Sequence, residues 1–64
     1  MKWALMIKEL RNKMFLTQSE LGKILGVTYN TINRYENDKF EPTMKVKRKL
    51  NTLFIENGIS EKGE

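Results

Sequence analysis

Two helix boundaries stand back to back in the stretch TQSELGKILGVTYNTI, and their spacing limits the folds open to this chain more than any other feature. Thr17 followed three residues later by Glu20 is a capping-box pattern, in which side chains and backbone satisfy each other's orphan groups at a helix start. Leu16 ahead of the cap and Leu21 inside the helix fit the hydrophobic staple that sets the entry angle. The helix then meets Leu25-Gly26-Val27. Gly26 can take the left-handed conformation that closes a helix, and Val27 can fold back onto the last turns. A helix of about eight residues results. Thr28 is a good cap for the next one, and Val27 with Ile32 repeats the staple.

A connection of about three or four residues containing Gly favours a steep crossing of the two helices, the geometry of a helix-turn-helix. Gly22, mid-helix, costs about 1 kcal/mol relative to Ala; close approach of the third helix is its natural reason. Ahead of this unit, Trp3, Ile7, Leu10 and Met14, with Met6 alongside, form one apolar stripe of a helix running roughly from Lys2 to Lys13. These are core positions, except that Trp3 could instead serve a subunit contact. Behind it, Pro42 and the potential cap Thr43 start a fourth helix, with Val46, Leu50, Leu53 and Phe54 inward and an end at Asn57-Gly58. Phe54 and Ile55 either close the core or form a dimer patch. No segment alternates as a strand does. The expected fold is all-α, four helices in one domain of 64 residues, with the domain over 1–57 and a frayed or disordered tail over 58–64.

Several function classes drop out. With no Cys and no His there is no disulfide, no thiol nucleophile and no plausible structural zinc site. No Gly-rich phosphate loop or paired carboxylates on one face occur, and four short helices leave little room for a pocket. No enzyme activity, cofactor or small-molecule ligand is expected. No apolar run is long enough to span a bilayer, and Lys8 and Glu9 cut the apolar start short, so neither a membrane partner nor a secretory leader is expected. The cysteine-free composition fits a reducing cytoplasm.

Net charge is +4 with a pI near 9.6. Glu56, Glu61 and Glu64 against Lys62 make the end of the chain acidic, so the body is more basic than the total. The densest cluster is Lys45, Lys47, Arg48 and Lys49. Such a cluster is either a polyanion-binding face or a solvated helix face, and charge alone does not choose.

The third helix does more to choose. Ile32 and Tyr35 should point inward together, while Asn30, Asn33, Arg34 and Asn37 fall at i, i+3, i+4 and i+7 in a wholly polar stripe. Asn and Thr are mediocre helix formers, so a surface selected for stability would not favour them. They are among the side chains that read base edges: Asn pairs bidentately with adenine, Arg with guanine, and the Thr methyl can meet that of thymine. An ordinary solvated face is the alternative, and the turn in front of the helix tips the balance towards base reading.

The stretch LTQSELGKILGVTYNTINRYEN resembles the helix-turn-helix of the Cro/CI-type, XRE-like repressors. The resemblance covers roughly Ile7 to Leu53. It is carried by IKELR before the motif, LTQ at its entry, LGV at the turn, Ile32 and Tyr35, YEN at its close and EPT before the next helix. Gly22 departs from the usual Ala, and Asp38 from the usual Gly, a place where Asp tolerates a left-handed turn better than most residues. The resemblance implies a compact, lambda repressor-like four-helix domain with the third helix, 29–37, in the major groove. By position it assigns Gln18, Tyr29, Asn30, Thr31 and Arg34 to base or groove contact; Asn33 joins them on periodicity. It assigns Lys39, and Thr43 with Lys45, to the phosphate backbone. The start of the second helix, at Thr17 and Gln18, offers free N–H groups to another phosphate; Lys23 is a weaker candidate. Glu36 opposes the helix dipole and so needs a partner, and the resemblance supplies Arg11 as that structural partner.

The expected function is a sequence-specific DNA-binding transcriptional regulator, a repressor of phage or mobile-element type. It would be cytoplasmic and nucleoid-associated, and bind double-stranded DNA as a homodimer on a two-fold related operator with half-sites about 34 Å apart. The alternative is a helix-turn-helix scaffold acting mainly through protein–protein contacts, antitoxin-like or as a regulatory partner; exposed Trp3, Tyr29 or Phe40 would favour it.

Overall fold

The computed structural model describes residues 3–59. Among them are four helices, α1 (Trp3–Lys13), α2 (Gln18–Leu25), α3 (Tyr29–Glu36) and α4 (Met44–Glu56), and no strand. Lys2 and the segment 60–64 lie outside the described residues.

Three helix starts carry the threonine caps read from the sequence: Thr17 accepts from Glu20 N–H, Thr28 from Thr31 N–H and Thr43 from Val46 N–H. At α2 the box is complete, since Glu20 Oε1 also accepts from Thr17 N–H at 2.8 Å.

All four helices end in the same way. A residue two or three places past the helix folds back to donate its N–H to a carbonyl five residues earlier: Leu16 to Arg11 at 2.9 Å, Val27 to Gly22 at 2.8 Å, Lys39 to Arg34 at 2.9 Å and Ile59 to Phe54 at 2.8 Å. This closure requires a left-handed residue just before the folding-back one. Gly26 and Gly58 supply it without strain at φ 77° and 70°, but Phe15 and Asp38 take φ 56° and 58° with a Cβ present. Asn37 thus caps α3 instead of forming its last turn.

The core is one cluster: Met6, Ile7 and Leu10 of α1, Leu21 and Leu25 of α2, Ile32 and Tyr35 of α3, Val46, Leu50 and Phe54 of α4, and Ile59. α3 packs on both α1 and α2, and α4 closes the far side against α1 and α2. Phe54 is buried and Ile55 is 71 % exposed, so the two adjacent side chains have separate fates. Trp3 is half-buried, tilted onto Phe54 with ring centroids 6.0 Å apart. Ile59 corrects the boundary expected after Asn57: the fold-back bond buries it against the core, so the packed body reaches at least that far.

Gly22 also needs a correction. A Cβ there would lie 2.7 Å from the carbonyl oxygen of Val27. The close neighbour is therefore the turn backbone, drawn in by its fold-back bond, and not α3 itself.

Candidate nucleic-acid interface

Burial of Ile32 and Tyr35 sets the rotation of α3, and that rotation turns Tyr29, Asn30 and Arg34 to solvent. Among the described residues Asn30 and Arg34 have no side-chain hydrogen bond or ion pair, so an amide and a guanidinium stand one helical turn apart with their full donor sets available. Tyr29 is half exposed beside them. Thr31 is partly buried and its hydroxyl lies 3.1 Å from that of the cap Thr28, so its polar end is engaged.

The other members of the polar stripe, Asn33 and Asn37, are engaged in side-chain hydrogen bonds that lead inward to Glu36. Arg11 donates from Nε to Glu36 Oε2 at 2.7 Å and from Nη2 to Oε1 at 3.0 Å, a two-pronged pair. Gln18 Nε2 donates to the same Glu36 Oε1 at 3.0 Å, joining the start of α2 to the end of α3. Asn33 Nδ2 reaches Gln18 Oε1 at 3.5 Å, and Asn37 Nδ2 donates to Asn33 Oδ1 at 3.1 Å and to its backbone carbonyl at 2.8 Å. Gln18 and Asn33 are accordingly half-buried. Glu36, at 4 % exposure, is the buried charged residue of the core. Its hydrogen bond raises the Arg11 guanidinium above its ordinary value, against the opposing effect of burial. No buried side-chain nitrogen or oxygen among the described residues lacks a partner.

The residues expected at phosphates divide in a similar way. Thr17 is exposed; the capping box occupies its N–H and uses its hydroxyl only as an acceptor, leaving the hydroxyl hydrogen and the N–H groups of Gln18 and Ser19 to face an anion. Lys39 is exposed in a loop pinned on both sides, by its own N–H to Arg34 and by Phe40, which stacks on Tyr35 at 5.9 Å and 5°. Burial of Tyr35 in turn raises the pKa of its phenol. Thr43 is exposed as the cap of α4.

The basic cluster of α4 is not one face. Lys47 pairs with Glu41, holding that carboxyl below its ordinary value, and lies over the Trp3 ring, 5.3 Å from its centroid. Lys49 reaches the Leu25 carbonyl at 3.4 Å, at the negative end of α2. Lys45 and Arg48 are exposed and have no ion pair among the described residues. Arg48 was not among the expected contacts; the signal available was its i+3 spacing from Lys45.

No group of three metal-ligating side chains occurs among the described residues, and none of their helices is long and apolar enough to cross a membrane.

A short capped helix, a closed turn and a second helix with an outward amide–guanidinium face define a helix-turn-helix domain. The helix-turn-helix family model matches residues 7–54. A protein of Archaeoglobus fulgidus described as an uncharacterized HTH-type transcriptional regulator is 42 % identical over 48 residues, covering 75 % of this chain and 68 % of that protein. No solved structure matches the chain closely. The chain belongs to the helix-turn-helix family, of the Cro/CI, XRE-like type.

Proposed function

We propose that this protein is a sequence-specific DNA-binding transcriptional regulator, a repressor of phage or mobile-element type, that lays α3 in the major groove. Two copies bind a two-fold related operator with half-sites about 34 Å apart. The observation that carries this reading is the pair Asn30 and Arg34, exposed and without side-chain partners among the described residues, on the helix that follows the turn. Family membership and the regulator-like relative support it.

In this reading Asn30 and Arg34 contact base edges, with Tyr29 and Thr31 lining the groove. Gln18 and Asn33 meet the DNA from their own hydrogen-bonded arrangement. Lys39, Lys45, Thr43 and the N–H groups at the start of α2 hold the phosphates. Arg11 and Glu36 hold α1 against α3. The domain comprises at least the packed body, through Ile59.

A shift assay on random duplex DNA at low and moderate salt tests the reading. Binding at low salt that weakens steeply with added salt supports it. Absence of binding at low salt would favour a scaffold for protein partners. The observation on that side is exposed apolar surface: Tyr29 at 51 %, Phe40 at 49 % and Phe15 at 93 %.

A further inference from the structure

Glu36 accepts from a side chain that sits at the proposed reading surface, as well as from Arg11. A carboxylate can only accept, so chemistry dictates which end of the Gln18 amide faces it: Nε2 inward, Oε1 outward. The outward Oε1 then requires a donor from Asn33, which turns Nδ2 to Gln18 and leaves Oδ1 facing Asn37. Asn37 must in turn present Nδ2, and its two contacts to Asn33 engage that group and leave Oδ1 as its outward atom. The buried carboxylate at the inner end and the Asn33 backbone carbonyl at the outer end impose the same direction on the three amides.

Resting on the DNA-binding reading above, we propose that Glu36 is a positioning residue for base recognition: it holds the polarity of the Gln18 and Asn33 amides from the inner end of the Gln18–Asn33–Asn37 amide chain, and so the kind of base edge they accept. With the polarity observed, the outer end of the chain offers an acceptor, which suits a base pair presenting an amino donor in the major groove, adenine N6 or cytosine N4. Asn30 and Arg34 stand outside this chain and read independently of it.

Glu36→Gln keeps the shape and loosens the anchor. In the parent Arg11 Nε takes Oε2 while Arg11 Nη2 and Gln18 Nε2 share Oε1, so the single oxygen of the new amide cannot serve all three donors. Gln18 and Asn33 then lose their fixed direction, while Asn37 stays held by the Asn33 backbone carbonyl. Sequences are selected from a random duplex pool by the parent and by the variant, with folding checked by circular dichroism. The expected result is a change of at least about tenfold in preference. It falls at the base pair facing Asn33, as a loss of discrimination between donor-bearing and acceptor-bearing edges, with the positions read by Asn30 and Arg34 unchanged. A second selection with Gln18→Ala present should abolish the effect of Glu36→Gln, because the link is gone. A purely structural Glu36 would lower affinity evenly and leave the selected sequence the same, which overturns the proposal.

Should Glu36→Gln not fold, the side-chain amide of Gln18 in the parent protein decides by nuclear magnetic resonance. Slow hydrogen exchange and close contact to the Asn33 amide hydrogens support the chain, and exchange as fast as in free glutamine overturns it. If the parent itself enriches no sequence, it is the DNA-binding reading that fails.

Discussion

Replacing Arg11 by Ala should nearly unfold this domain, and the reason lies in an asymmetry of exposure. The Glu36 side chain is 3 % exposed, the Arg11 side chain 24 %. Without Arg11 the carboxylate keeps one side-chain donor, Gln18 Nε2. Breaking such a buried pair from one side costs about 3–5 kcal/mol, while a core of this size leaves about 3–5 kcal/mol in total. The Leu16 carbonyl loses its Arg11 contact as well. Urea denaturation followed by circular dichroism measures the effect. At a slope near 1 kcal/mol per molar, a loss of about 3 kcal/mol moves the midpoint by roughly 3 M and erases the folded baseline. In the parent, the raised Arg11 pKa contributes stability at every pH below the unfolded arginine value and loses it only above the folded one. If Arg11→Ala melted like the parent, the structural role of the pair would be refuted.

Arg34→Ala or Asn30→Ala should weaken a selected site by about 1–3 kcal/mol and leave affinity for random duplex nearly intact; equal losses on both would mean that these side chains only touch the backbone. Lys45→Ala should flatten the log–log salt dependence by about 0.9, whereas Lys47→Ala, already engaged by Glu41 and Trp3, should change it little; equal effects would refute the division of the α4 cluster. Phe15→Gly should raise the melting temperature, since it relieves a left-handed cost of about 1–2 kcal/mol, partly offset by unfolded-chain entropy, at a side chain 93 % exposed. Asp38→Gly should gain less, because Asp tolerates that conformation better; the reverse order would contradict the strain argument.

The helix starts were legible because a cap is a local interaction: Thr17, Thr28 and Thr43 each bond a backbone group three residues on. The inward stripes were legible for the same reason of short-range periodicity. Long-range pairings were not. Lys45, Lys47, Arg48 and Lys49 look alike in sequence, and only the positions of Glu41, Trp3 and the end of α2 sort them. The Gln18–Glu36 bond joins residues 18 apart, and nothing in either neighbourhood announces it. Phe15 hides a left-handed closure because a phenylalanine gives no signal for one, and Ile59 follows a Gly58 that reads as an ending.

The central claim, that the outward face of α3 meets DNA, is tested most directly by mapping backbone amide shifts while a selected duplex is titrated into labelled protein. The largest changes should fall on Tyr29 to Arg34 and on the start of α2 at Gln18 and Ser19, with smaller ones at Lys39 and Lys45. Changes centred on the exposed apolar side chains Leu5 of α1 and Ile55 of α4, with α3 silent, would contradict it.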